Sequence, residues 1–129
     1  MAQEIAVLDA SALVALIMAE PGADVVDAVA QSAAVSTVNW AEVIEVIGAL
    51  GVSIENRREQ VEELGVALVP FQPRHAEAAA AMWASTRKAG LSLADRACLA
   101  LALDLGATAV TADRAWAKVD VGVEVKVIR

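Results

Sequence analysis

The chain has 129 residues, 58% of them hydrophobic and 21% charged, with one Phe, three Trp and no Tyr; one domain with an aliphatic, alanine-rich core is expected, and disorder is excluded. A net charge of −7 argues against a plain basic groove for nucleic acid, although acids neutralised by bound metal would still admit such a substrate. The longest uncharged stretch, Ala28 to Ala41, is only 14 residues and contains polar ones, so no segment spans a bilayer; with no basic region in "MAQEIAVLD" and a single Cys98, a cytoplasmic protein without internal disulfides is the expectation.

Ile5 to Leu8 is a short aliphatic run ending at Asp9, after which Ala12, Leu13, Leu16 and Ile17 recur at helical spacing; strand, then helix, is predicted. "EPGADVVDAVAQS" offers Pro21 at a helix start with Val25, Val26 and Val29 on one face, and residues 34 to 38, "AVSTV", suit a second strand. Trp40, Val43, Ile44, Ile47 and Leu50 form a helical stripe ending near Gly51. A charged helix follows around Glu55 to Leu64, then a third strand at Ala67 to Val69, closed by Pro70.

Pro73 to Ala89 reads as one long helix stopped by Gly90, and Leu93 to Leu105 as another stopped by Gly106. Ala109 to Thr111 is the fourth strand, Arg114 to Lys118 a short helical turn, and "VEVKVI" the fifth strand. Strands alternating with helices imply an α/β domain, a mostly parallel sheet of four to five short strands sandwiched between helices.

Four acids stand where a strand or loop hands over to a helix: Asp9, Glu42, Asp95 and Asp113. Capping accounts for each singly. Asp9 and Asp113 suit N-caps, while Asn39 with Glu42 and Ser92 with Asp95 have the spacing of a capping box. Together they suggest more, because a parallel sheet gathers the carboxyl ends of its strands along one edge, where ligands bind. Crowded carboxylates cost electrostatic energy that a cation offsets. An all-oxygen donor set without His or Cys favours Mg²⁺ or Mn²⁺ over zinc, and two such ions about 4 Å apart suit phosphodiester hydrolysis by activated water.

The ordered set "VLDASAL" (7–13), "NWAEV" (39–43), "LSLADRACLALA" (91–102) and "VTADRAW" (110–116) resembles the PIN-domain ribonucleases, specifically the VapC-type toxins of type II toxin–antitoxin pairs, over essentially residues 1–129 as a single domain. The resemblance implies a three-layer α/β/α sandwich and a metal-binding catalytic quartet of Asp9, Glu42, Asp95 and Asp113, supported by Ser11 and Thr111. It further implies a Mg²⁺- or Mn²⁺-dependent endoribonuclease, a homodimer, and inhibition by a cognate antitoxin whose C-terminal segment wraps the toxin.

Arg96 and Arg114, each directly after a site acid, are candidates for binding the RNA substrate, though pairing with neighbouring carboxylates explains them as well. Arg87 and Lys88 could steer RNA or complement a helix dipole. His75 has no metal-binding companion and suits a surface or capping role, Glu45 a helix surface, and Cys98 a buried small hydrophobe. Trp40 and Trp83 suit core or dimer interface, while Trp116 offers a face for a base but also suits the core. The stripe of Ala12, Leu13, Leu16 and Ile17, with Ala23 to Ala30, is either core or a groove for an antitoxin helix.

Two other classes compete. A haloacid-dehalogenase-like phosphatase also starts with a strand ending in Asp, but its chemistry wants a second acid two residues on, where Ser11 stands here. A non-catalytic PIN-like module binding RNA or protein would use the acids as caps alone.

Overall fold

Short aliphatic runs bounded by polar residues make five strands at the centre of the molecule, the inner three buried on both faces and the two edge strands only partly covered. A computed structural model describes residues 4–129. Strands β1 (Ala6–Leu8), β2 (Ala33–Ser36), β3 (Ala67–Val69), β4 (Thr108–Thr111) and β5 (Val125–Val127) pair in the order β3-β2-β1-β4-β5, all parallel. The order reverses at β1, between β2 and β4, which places a topological switch point there.

Helices cover both faces. On one side α1 (Ala10–Met18), α2 (Ala23–Asp27), α3 (Thr37–Ala49) and α4 (Arg57–Glu63) pack on Leu8, Val35 and Val110. On the other, α5 (Pro73–Ala81) and α7 (Leu93–Leu105) cover Val7, Ala34 and Ala109. Adjacent strand residues thus feed opposite cores, as the pleat requires. The result is the α/β/α sandwich expected from the alternation of elements. Among the described residues no helix is long and apolar enough to cross a membrane.

The third strand, the helix Leu93–Leu105 and the turn Arg114–Lys118 fall where the sequence places them. Gly90 and Gly106 take left-handed backbone at φ +76° and +61° and end their elements as C-caps. Other boundaries differ. The second strand ends at Ser36, whose hydroxyl accepts from Val38 N and caps α3, so Thr37 and Val38 are helical despite their β-branching.

The stretch Pro73–Ala89 is not one helix. It breaks at Met82 into α5, a short α6 (Trp83–Thr86) and a 3-10 turn at Arg87–Ala89. The buried Thr86 hydroxyl donates to Met82 O at 2.8 Å, the side-chain competition that bends helices. His75 is buried rather than on the surface. Its Nδ1 accepts the Gln72 N–H in a reciprocal cap, and its Nε2 lies 3.0 Å from Asp104, whose carboxyl is held low by His75 and Arg74.

Cys98 and Trp116 are both fully buried, which assigns Trp116 to the core and removes it as a base-stacking face. Leu13 and Ala12 are likewise core, with Leu16 and Ile17 packed against them, so no free groove runs along that stripe.

Candidate active site

Three of the four acids are fixed by the local chemistry of the element they open, and Glu42 by a neighbour inside α3. Asp9 ends β1 and caps α1: its Oδ1 accepts from Ala12 N at 2.8 Å and from the Ser11 hydroxyl at 2.7 Å, and its Oδ2 accepts from the Thr111 hydroxyl at 2.5 Å. The same two hydroxyls accept backbone N–H groups of the turn after β4, Ser11 from Ala112 and Thr111 from Asp113. The ends of β1 and β4 are therefore laced together around Asp9. Asp113 caps the 3-10 turn, its Oδ1 accepting from Ala115 N.

On the facing side, Ser92 and Asp95 form the capping box expected of them, with Asp95 Oδ2 accepting from Ser92 N at 2.9 Å. Asn39 and Glu42 do not. Asn39 lies inside α3, fully buried, and its Nδ2 donates to Glu42 Oε1 at 3.2 Å and to Ala94 O at 3.0 Å. Asn39 thus ties the α3 acid to the first turn of α7, one residue from Asp95. The i, i+3 spacing was legible, but the partner on α7 is 55 residues away and left no local signal.

The four carboxylates line one open cleft of about 360 Å³ at the carboxyl edge of the sheet, together with Ser11, Glu20 and Arg129. A cavity of about 250 Å³ lined by Ile5, Ala6, Thr108 and Val125 with Glu4, Glu124 and Lys126 sits by the opposite ends of the strands, away from the edge where parallel sheets bind ligands. Arg129, the one cation among the residues lining the cleft, donates to Pro21 O and lies 3.4 Å from Glu20. Nothing local in the sequence connects residues 20 and 129.

The predicted RNA-binding arginines are not among the residues lining this cleft. Arg96 turns its guanidinium to Ala79 O at 2.8 Å, bracing α7 against α5, and Arg114 donates to Arg129 O. Glu45 is exposed on α3, as a surface acid should be.

Burial pushes the Asp9 carboxyl up to about 6, against the downward pull of Thr111, Ala12 N and Ser11, with the charge of Asp95 adding to the rise. Burial also raises Glu42, opposed by Asn39 and helped by Asp95 and Glu45. The buried Cys98 thiol is raised well above its ordinary value, first by burial and then by Asp9, Asp95 and Glu42.

Among the described residues no three His, Cys, Asp or Glu side chains converge tightly enough, as they stand, to hold one metal ion. The donor set itself fits a hard divalent cation. Capping engages one oxygen of Asp95 and of Asp113, and the Asn39 amide one oxygen of Glu42, while their Oδ1, Oδ2 and Oε2 atoms accept nothing from the described residues. The dehalogenase-like alternative fits less well, because Ser11 stands, and donates to Asp9, where that chemistry wants a second acid.

The model of the PIN domain matches residues 6–122. The chain belongs to the PIN domain family. The match takes in all five strands except the last and every one of the four acids. No curated protein matches the chain. Solved structures with the PIN domain fold of this chain include a toxin–antitoxin complex from Klebsiella pneumoniae (TM-score 0.72, 19% identity, 96% of this chain and 98% of that one). They also include DNA-bound VapBC from Salmonella typhimurium (0.70, 15%, 98% and 100%) and FitAcB from Neisseria gonorrhoeae (0.69, 18%, 94% and 96%).

Asn39 gives the PIN domain site a test of its wiring. Asn39→Ala should cost about 1–3 kcal/mol in urea unfolding, since a fully buried side chain and its hydrogen bond to Ala94 O are both lost. It should also lower nuclease kcat/KM by about 10–100-fold, the usual effect of losing a group that orients a ligand. An unchanged kcat/KM in a destabilised protein would reduce Asn39 to a structural tie between α3 and α7.

Proposed function

We propose that this PIN domain is a Mg²⁺- or Mn²⁺-dependent endoribonuclease, the toxin of a toxin–antitoxin pair, working in the cytoplasm as a homodimer and restrained by a cognate antitoxin protein. The observation that carries this reading is the set of four carboxylates, brought by four separate elements into one cleft. Likeness of fold to toxin–antitoxin complexes supports the biological setting.

Asp9, Glu42, Asp95 and Asp113 would hold the cation, which when bound supplies Lewis acidity toward the phosphodiester and a nucleophilic water at neutral pH. Ser11 and Thr111 fix both oxygens of Asp9, and Asn39 fixes the direction of Glu42. Burial of Asp9 and Glu42 makes their ionisation costly unless positive charge lies beside them. The site is thus electrostatically prepared for a cation and ill suited to stand as four bare caps.

Purified chain incubated with RNA should cleave it only when Mg²⁺ or Mn²⁺ is supplied, leaving 5′-phosphate and 3′-hydroxyl ends. Cleavage that survives chelator would remove the metal from the reaction, and ends carrying a 2′,3′-cyclic phosphate would show that the RNA's own 2′-hydroxyl attacks; either result would reject the reading.

A further inference from the structure

The protein carries 17 acids against ten Lys and Arg, yet four of those cations, Arg87, Lys88, Arg114 and Lys118, sit on two short 3-10 turns, Arg87–Ala89 and Arg114–Lys118. The two turns pack against each other. Beneath them the buried Met82, Leu91 and Trp116, with Ala89 and Val119, belong to one core cluster that pins the turns together. Neither turn contains an acid, all four cations are exposed, and none forms a salt bridge among the described residues. Asp120, the nearest acid in sequence to Lys118, turns instead toward Gly122 N.

Helix-dipole complementation explains only half of this. Arg87 and Lys88 stand in the last turn of their element, but Arg114 opens its own. Beside them Trp83 is 53% exposed, the largest side chain left at the surface, with the Arg87 guanidinium 5.1 Å from its ring centre. The ridge adjoins the cleft through the chain itself: Arg114 follows Asp113 directly, and Lys88 leads by way of Gly90 and the Ser92 cap into Asp95.

Exposed cations free of carboxylate partners, Arg114 holding only the Arg129 carbonyl, beside an exposed indole match the two halves of a single-stranded nucleic acid, phosphates and base faces. We infer that this ridge is the track along which single-stranded RNA reaches the acidic cleft, with phosphates on Arg87, Lys88, Arg114 and Lys118 and a base stacked on Trp83. The inference rests on the nuclease reading for its direction but not for its test. It also resolves how so acidic a chain holds a polyanion: attraction is local to the ridge, while the cleft stays negative for a cation.

The test is the equilibrium binding of a dye-labelled single-stranded RNA about 15 nucleotides long, followed by anisotropy in chelator, where no bond is cut. Arg87→Ala/Lys88→Ala and Arg114→Ala/Lys118→Ala should each weaken binding at least ~5-fold and lower the salt dependence by about 1.4 in the log–log slope. Trp83→Ala should weaken it at least ~5-fold with the slope unchanged. Arg57→Ala/Arg58→Ala, the same charge loss on α4, should change neither.

Equal losses in the α4 variant would reduce the effect to overall charge and overturn the ridge, as would unaltered binding in the ridge variants or equal affinity for duplex DNA. Wild-type RNA binding lost on the ridge variants, in a protein that never cleaves RNA with Mn²⁺, would keep the ridge and reject the nuclease reading.

Discussion

Asp9→Asn is expected to lower RNA cleavage by roughly a thousandfold or more while leaving the chain folded, because it removes the charge at the centre of the cleft without removing the shape. The side chain it replaces is almost wholly buried and accepts three hydrogen bonds, from Ser11, Ala12 N and Thr111. An Asn oxygen can keep the first two. Its NH₂ group then faces Thr111 Oγ1, a hydroxyl able to accept instead of donate. Steady-state cleavage and urea unfolding of the same preparation separate the two effects. Cleavage within a few-fold of wild type would mean that the Asp9 charge does no chemistry and that capping is its whole role.

In chelator the same substitution should stabilise the protein at neutral pH, by about 3 kcal/mol relative to wild type. Folded Asp9 keeps its proton up to about 6, whereas the unfolded side chain releases it near the ordinary 3.8. Between those values the native state binds more protons than the unfolded one, so stability falls as pH rises. The contribution is fully present below about pH 4 and gone above about pH 6. Glu42 is raised too and adds in the same direction. Asp9→Asn removes the Asp9 part, so the gap between variant and wild type should open from about pH 4 to about pH 7 in urea titrations. Mn²⁺ should close it from the wild-type side, since a cation that binds only the folded, ionised site stabilises by mass action. A gap independent of pH would show that Asp9 titrates normally.

This trade of stability for charge is why the site was readable in the sequence at all. A lone carboxylate after "IAVL" breaks an aliphatic run; Asp95 and Asp113 stand at comparable hand-overs from loop or strand to helix, and Glu42, expected at one, lies in the second turn of α3. Local rules could name each a cap, and for Asp9, Asp95 and Asp113 they were right. What they could not give was direction. Asn39 looked like a cap and is a buried tie to α7; Arg96 looked like a phosphate ligand and holds the Ala79 carbonyl; Trp116 lies in the core, and exposed Trp83 is the aromatic left facing solvent.

The fold was legible where apolar runs and stop signals coincide, as at Ala67–Val69 and Leu93–Leu105. It was not where a side-chain hydroxyl decides between two states with similar propensity. Ser36 turns "STV" into a helix start, and Thr86 breaks the helix that the alanine-rich Pro73–Ala89 would otherwise continue.

On the proposed reading, four acids from four elements together hold a divalent cation. Mn²⁺ titration followed by electron paramagnetic resonance tests it without RNA, because protein-bound Mn²⁺ loses the sharp signal of the free ion. Wild-type protein should quench that signal, and Asp9→Asn, Glu42→Gln, Asp95→Asn and Asp113→Asn should each weaken the quenching, by about 10-fold or more in affinity for the direct ligands. A wild-type protein that leaves the Mn²⁺ signal untouched, or four variants that quench as well as wild type, would contradict it.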